Sequence, residues 1–192
     1  MIKEWHHYPN LVSTEVCEKL IADAIALDKD FESGKLSNSG YVDKKTRKSE
    51  IKFIQNEDPF SEIFDIFWNK SLDANEKFFN FHLSRLEYLQ FSKYDSKVKG
   101  EFKEHQDVDW INDDPIHHRK LSVILQLSDP TTYTGGDLIL KSLSTEMSPN
   151  SMQFKGQGTL IVFPSFLFHR VLPVTSGVRH SLVGWIEGNK WS

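Results

Sequence analysis

The stretch GTLIVFPSFLFHRVLPVTSGVRHSLVGW, at residues 158–185, decides the fold. It contains two apolar runs of strand length separated by a segment with proline and glycine, which is typical of antiparallel β-structure. His169 follows the first run, where solubility does not require a histidine, and Arg179 lies in the second. Because an arginine that points inward from an apolar strand needs an anionic partner, the stretch predicts buried strands with functional side chains.

The remaining strands are predicted from residue 83 onward by short runs rich in valine, isoleucine, leucine and aromatic residues. In LSVILQL, leucine and valine alternate with Ser122, Ile124 and Gln126, and Gly135-Gly136 marks a turn. The pattern predicts a sandwich or barrel of roughly eight strands behind N-terminal helices. The predicted strands cover 83–94, 121–127, 137–141, 151–155, 159–163 and 180–187.

Two helices are predicted before the strands. Residues 13–28 offer Ser13 as the N-cap and an apolar stripe on one face. A second helix is predicted to begin at Asp58 as the N-cap, with Pro59 at its first position. The stripe of the first helix comprises Val16, Leu20, Ile21, Ala24 and Leu27.

Two polar segments are interpreted as surface loops. The first, residues 33–50, has the composition of a solvated loop, and a lid over a substrate is the alternative. The second contains His117 and His118, for which a surface loop is favoured over a second metal site. The first loop also holds a basic run, expected to be a solvated face: Lys44, Lys45, Arg47 and Lys48.

Length and composition limit the classes of function that are open to this protein. The 192 residues predict a single domain, with helical support and a flap at 1–82 and a core at 83–188. The formal charge of −4 argues against nucleic acid as a partner, and the lone Cys17 excludes cysteine-based zinc sites. The N-terminus lacks an apolar signal core and no apolar run approaches ~18 residues, so a cytoplasmic protein without a membrane span is expected.

His105 and Asp107 are candidate metal ligands. They are two residues apart, so on an extended chain both side chains point to the same side. His169 is the candidate for a third ligand. Two histidines and one carboxylate suit non-haem Fe(II) and leave coordination positions open for oxygen chemistry.

Arg179 and Ser181 are candidate anion-binding residues. Both lie on the same face of the strand RHSLVGW, together with Trp185. A guanidinium and a hydroxyl on one face can together bind a carboxylate. An ordinary surface ion pair is the alternative for Arg179.

These motifs carry a family resemblance. HQD at 105–107, TYTGGDL at 132–138 and the stretch at 158–185 resemble, in this order, the 2-oxoglutarate and Fe(II)-dependent dioxygenases of the prolyl and lysyl hydroxylase type. The similarity runs from about Leu86 to Glu187. It implies a double-stranded β-helix, or jelly-roll, core supported by α-helices.

The resemblance also implies roles for individual residues. His105, Asp107 and His169 would bind Fe(II), and Arg179 and Ser181 would hold the C5 carboxylate of 2-oxoglutarate. O2 is the second co-substrate, and ascorbate is suggested as an auxiliary cofactor. Tyr94 corresponds to a tyrosine that contacts 2-oxoglutarate in this family. Its motif is stretched here to YDSKVKGEFKEH, so simple core packing of Tyr94 stays an alternative.

The resemblance favours hydroxylation of a peptidyl prolyl residue, with succinate and CO2 as co-products. Asp107 argues against halogenation, because halogenating relatives lack a carboxylate at this position. Nucleic-acid demethylation is disfavoured, since Trp185 stands where those relatives carry a second arginine. Two alternatives stay open: a hydroxylase of a free amino acid or other small molecule, and a non-catalytic binding module stabilised by a metal. The oligomeric state is not decided by the sequence.

Overall fold

The molecule is mostly β with two N-terminal α-helices, as predicted. The computed structural model describes residues 4–33, 45–108, 110, 114, 116–141 and 154–191. Its helices are α1 (Thr14–Ala26) and α2 (Ser61–Ala74), followed by a π-helical turn at Asn75–Phe79 and, later, a 3-10 turn at Ser96–Val98. The strands are β1 (His6–Tyr8), β2 (Glu32–Ser33), β3 (Arg47–Lys48), β4 (Glu50–Ile54), β5 (Arg85–Asp95), β6 (Glu101–His105), β7 (His117–Gln126), β8 (Thr134–Gly135), β9 (Leu138–Leu140), β10 (Leu160–Pro164), β11 (His169–Val171), β12 (Val174–Ser176) and β13 (Val178–Asn189).

Two sheets form the core. The main sheet has the strand order β1-β10-β7-β13-β5-β4-β2, and the second sheet has the order β3-β6-β11-β9. A two-stranded sheet of β12 and β8 completes the set. All neighbouring strands pair antiparallel. Apolar side chains from both larger sheets meet in one buried cluster that includes Ile124, Phe163, Leu140 and Val171, so the sheets face each other as in a jelly roll.

The first helix confirms the predicted cap and corrects the predicted stripe. The Ser13 side chain accepts a hydrogen bond from the backbone N–H of Val16. Leu20 and Ala24 are buried against the main sheet, as expected. Val16, however, is 44% exposed, because the face that meets the sheet passes through Cys17 instead. The spacing of Cys17, Leu20 and Ala24 keeps all three on that face.

The second helix begins two residues later than predicted, at Ser61 with Phe60 as its N-cap. Asp58 and Pro59 lie in a turn before it, which the hydrogen bond from Phe60 N–H to the Glu57 carbonyl closes at 2.8 Å. This turn prevents Asp58 from capping the helix. The helix buries its aromatic side chains against the main sheet, as its periodicity predicted.

Five of the six predicted strand runs overlap observed strands, and one does not. Of the run 151–155, residues 151–153 lie outside the described part, and Phe154 and Lys155 do not lie in a strand. The sequence pattern did not predict β6 and β11, two short strands of the second sheet.

The two segments interpreted as loops also need correction. Residues 34–44 of the predicted flap lie outside the described part. Arg47, which was expected on a solvated face, forms β3 with Lys48 and is only 5% exposed. His117 and His118 begin β7 and His118 is buried, so they are not in a surface loop. Among the described residues, no helix is long and apolar enough to cross a membrane.

Candidate active site

The three predicted metal ligands come together between two strands of the second sheet. His105 ends β6 and pairs across the ladder with His169, the first residue of β11. Asp107 follows two residues after His105 and approaches both histidines. Its Oδ1 lies 3.5 Å from Nε2 of His105, and its Oδ2 lies 3.3 Å from Nε2 of His169. The ligand atoms all lie within 4.8 Å of one another, a spacing that one metal ion can bridge.

Both histidines are oriented in the same way. Nδ1 of His105 lies 2.7 Å from the carbonyl of Lys103, and Nδ1 of His169 lies 3.0 Å from the carbonyl of Leu167. A carbonyl can only accept, so each Nδ1 carries the proton and each Nε2 presents a lone pair. The rings are further held by aromatic neighbours, with His105 stacked on Phe102 at 3.5 Å between ring centroids.

The electrostatics keep the Asp107 carboxyl ionised, as a metal ligand must be. Burial would raise the pKa of the Asp107 carboxyl, but the neighbouring His169 and His105 hold it well below its usual value. Burial lowers the pKa of His105, and the neighbouring His169 lowers it further. At His169 burial also acts to lower the pKa, but Asp107 outweighs it and the pKa is raised. An ionised carboxylate beside oriented imidazoles is the donor set that suits Fe(II).

The predicted anion site lies in the interior at Arg179, on β13. This side chain is only 1% exposed. Its Nε and Nη2 both donate to Oε1 of Gln126, at 3.2 and 2.9 Å. Its Nη1 is buried and has no hydrogen-bond partner among the described residues. No carboxylate of the described residues lies within ion-pair distance of Arg179, so the surface ion pair is not what holds it.

Ser181 lies on the same strand face as Arg179, as the strand pattern predicted, and Tyr94 also lies beside Arg179. Arg179 pairs across the sheet with Tyr94 on β5, and its guanidinium carbon lies 5.2 Å from the Tyr94 ring centroid. Ser181 lies two residues along β13 and is buried. A buried guanidinium nitrogen without a partner fits a carboxylate ligand such as the C5 end of 2-oxoglutarate.

The GG turn of the sequence makes room for this arginine. Gly136 has a φ of +65°, and a Cβ there would lie 3.1 Å from Cδ of Arg179. Tyr133, three residues earlier, is buried nearby; burial raises its pKa, while Arg179 acts to lower it. The sequence motif contained this turn but did not single out Tyr133 or Gln126. The alternation of residues 121–127 places Gln126 on the inner face and was the available signal for it.

Two further arginines near the metal ligands were also missed. Arg119 lies 4.0 Å over the ring of Trp185 and donates from Nη2 to the Tyr88 hydroxyl at 3.0 Å. Arg47 lies 4.5 Å over the ring of Phe102, the residue that stacks on His105. Nothing local in the polar run around Arg47 indicated its burial.

A jelly roll with this triad and a buried arginine defines the class of non-haem iron oxygenases that use a 2-oxo acid. A family model described as the 2OG-Fe(II) oxygenase superfamily matches residues 89–187. This is more than half of the chain, and the protein belongs to that superfamily. The family implies Fe(II), 2-oxoglutarate and O2, and the donor set described above fits the metal.

Two proteins of similar sequence are PKHD-type hydroxylases. A PKHD-type hydroxylase of Rippkaea orientalis is 35% identical over 104 residues, which cover 54% of this chain and 44% of the relative. A PKHD-type hydroxylase of Synechococcus sp. strain CC9311 is 48% identical over 67 residues, which cover 35% of this chain and 29% of the relative. The matched part therefore spans less than half the length of these relatives.

Solved structures are similar in fold. A Pseudomonas putida prolyl-4-hydroxylase matches with a TM-score of 0.73 at 20% identity, covering 95% of this chain and 92% of that one. A Trichoplax adhaerens prolyl hydroxylase, solved with a hypoxia inducible factor peptide fragment, matches with a TM-score of 0.75 at 15% identity, covering 95% and 83%. At these identities the similarity establishes the fold alone.

Proposed function

We propose that this protein is an Fe(II)- and 2-oxoglutarate-dependent dioxygenase that hydroxylates an unactivated C–H bond of a peptidyl prolyl residue. The observation that carries the proposal is the pairing of a His-Asp-His triad with a buried arginine whose Nη1 lacks a partner in the described part of the chain. A triad alone could hold a structural metal, and a buried arginine alone could serve packing. Their occurrence together in one jelly roll fits a metal centre with a dicarboxylate co-substrate.

One group of residues would bind the metal, and a second group would bind the co-substrate. His105, Asp107 and His169 would hold Fe(II), which when bound supplies the activation of O2 for hydroxylation. Arg179 and Ser181 would bind and orient the distal carboxylate of 2-oxoglutarate, with Tyr94 beside them. Because these residues are buried, the co-substrate would replace water in a site of low polarity, where the ion pair to Arg179 is strong.

The choice of a prolyl peptide is supported by the side of the site that carries Trp185. Arg119 stacks on this ring, and its Nη1 lies 3.5 Å from the Asp107 carbonyl, so an aromatic surface adjoins the metal ligands. A pyrrolidine ring packs well on such a surface, and guanidinium groups bind peptide carbonyls. The printed name of the relatives, PKHD-type hydroxylase, supports hydroxylation as the reaction.

One observation favours a second candidate, the hydroxylation of a free amino acid. Arg47 and Arg119 both lie near the metal ligands, and a guanidinium binds an α-carboxylate at least as well as a peptide carbonyl. Mass analysis separates the two candidates. A product heavier by one oxygen atom from prolyl peptides supports the first, and turnover of free amino acids alone would contradict it.

The first experiment is an anaerobic titration of the metal-free protein with Fe(II) and then 2-oxoglutarate. We expect a visible charge-transfer band when the co-substrate chelates the metal. The Arg179→Ala variant should bind Fe(II) like the parent but require far more 2-oxoglutarate for the band. Tight metal binding without any band would instead support a metal-stabilised binding module. Unchanged 2-oxoglutarate binding by Arg179→Ala would overturn the assignment of the carboxylate site.

A further inference from the structure

Two buried serines lie behind the carboxylate of Asp107. Ser122, on β7, donates from Oγ to Oδ2 of Asp107 at 2.6 Å. Oγ of Ser165, the residue after β10, lies 3.0 Å from Oγ of Ser122. Both serines are fully buried. The partner of the Ser122 hydroxyl is therefore a candidate metal ligand.

The direction of this hydrogen-bond chain follows from counting protons. A serine hydroxyl has one proton to donate, and an ionised carboxylate has none. The Ser122 proton is used on Asp107, so Ser165 must donate to Ser122. The three side chains thus form a directed relay from Ser165 through Ser122 to Oδ2 of Asp107.

Asp107 needs such support more than the histidines do. Each histidine lies in a strand and is oriented by a carbonyl two residues before it. Asp107 lies beyond the end of β6, outside any ladder. Its backbone N–H donates to the Ser165 carbonyl at 2.9 Å, so Ser165 fixes both the backbone and, through Ser122, the side chain of Asp107.

We propose that Ser122 and Ser165 are positioning residues that hold Asp107 as a metal ligand with one oxygen engaged by a hydroxyl and the other free for the ion. This inference rests on the proposed iron centre. Partners behind a ligand fix its orientation, and their loss typically weakens metal binding by about 10–100-fold. The relay also predicts that the Ser165 hydroxyl, unlike the Ser165 carbonyl, acts on the metal site only through Ser122.

The test compares Ser122→Thr with Ser122→Val, two side chains of the same shape that differ in the hydroxyl. Metal affinity is measured by anaerobic titration of the metal-free variants with Fe(II). We expect Thr to bind close to the parent and Val to bind about 10–100-fold more weakly. Equal affinities for the Thr and Val variants would overturn the proposal.

A double-mutant cycle tests the direction of the relay. Ser165→Ala should weaken Fe(II) binding in the parent but have no further effect in the Ser122→Val background, because the intermediate hydroxyl is already gone. Additive losses would overturn the relay. If Ser122→Val does not fold, the Ser165→Ala loss of affinity decides alone, and its absence contradicts the proposal.

Two controls complete the experiment. Ser71→Ala removes a buried hydroxyl that donates to the Phe67 carbonyl within α2, remote from the site, and should leave Fe(II) affinity unchanged. The parent protein must itself bind Fe(II). A parent that does not bind overturns the proposed function and this inference with it, whereas a parent that binds alongside equal Thr and Val variants overturns the relay alone.

Discussion

The two faces of the main sheet are built by the same strands, yet the side chains that they bury differ in polarity. The outer face packs against α1 and α2 through apolar side chains, and the inner face holds polar side chains at the alternate positions. The outer set includes Leu89, Phe91, Leu121, Val123, Leu125, Leu182 and Ile186. The inner set includes Gln90, Ser92, Ser122, Gln126, Arg179 and Ser181. Because successive side chains of a strand point to opposite faces, one residue packs against the helices and the next faces the candidate site.

The inner face tolerates its polar groups because they are paired with one another. The Gln90 amide donates to Ser92 at 2.8 Å, and Gln126 accepts from Arg179. An unpaired buried polar group would cost about 1–3 kcal/mol. Among the described residues of this face, Nη1 of Arg179 and Nε1 of Trp185 are left without a partner, and the former is where the proposed co-substrate carboxylate would bind.

The largest expected effect comes from removing one of the three candidate metal-binding side chains. His169→Ala leaves two protein ligands and should abolish Fe(II) binding and turnover, while the fold persists because the outer face is untouched. Calorimetric titration with Fe(II) and far-UV circular dichroism measure the two properties. His82→Ala, at an exposed histidine, is the matched control. Retained tight Fe(II) binding by His169→Ala would show that the triad is not the metal site.

The converse effect is expected on the outer face. Phe67 is fully buried, and a Cβ on Gly184 of β13 would lie 2.8 Å from its Cδ1, so its ring packs directly on that glycine. Phe67→Ala should lower the free energy of unfolding by about 3–5 kcal/mol and leave Fe(II) affinity of the folded protein unchanged. Denaturant unfolding measures the loss. Leu72→Ala, at a 41% exposed position of the same helix, should cost far less.

A smaller effect is expected from breaking the hydrogen-bonded pair of Gln126 and Arg179 on the inner face. Gln126→Leu removes the acceptor of two Arg179 donors and lets the guanidinium turn away from the co-substrate. A hydrogen bond to a charged group contributes about 1.5–3 kcal/mol, so 2-oxoglutarate should bind at least about tenfold more weakly with Fe(II) affinity preserved. The charge-transfer titration measures both. Gln157→Leu, whose amide donates to the Leu127 carbonyl, serves as control. If Fe(II) affinity fell equally, Gln126 would be a structural residue only.

Much of this two-faced sheet could be predicted from the sequence, because the alternation of residues 121–127 and the two-residue spacing of His105 and Asp107 are local signals. The features that the sequence did not predict depend on contacts between residues far apart in the chain. The strand EFKEH, which became β6, shows no apolar alternation. Arg47 is buried because its guanidinium lies over the ring of Phe102 on the neighbouring strand β6, which its own basic neighbours in the sequence do not indicate.

Some interpretations stay predictions. They include the division of the chain at residues 82 and 83, the roles of Tyr94 and Ser181, the use of ascorbate and the cytoplasmic location. Each depends on ligands, partners or surroundings rather than on the packing of the described residues. The binding titrations above bear on Ser181 and Tyr94 first, because both lie beside Arg179.

The last predicted effect appears only on acidification and concerns His180, a polar exception on the outer face that stacks on Phe91. Burial, with Lys93 and Arg179 adding to it, lowers its pKa from 6.5 to about 4, against a small opposing effect of Asp95. Between these values the unfolded state binds more protons, so stability is full above pH 6.5 and falls as the pH drops toward 4. At pH 5 the loss should be about 2 kcal/mol. His180→Gln, which stays neutral, should lose correspondingly less between pH 7.5 and pH 5 in denaturant unfolding; an equal loss would place the acid sensitivity on other groups.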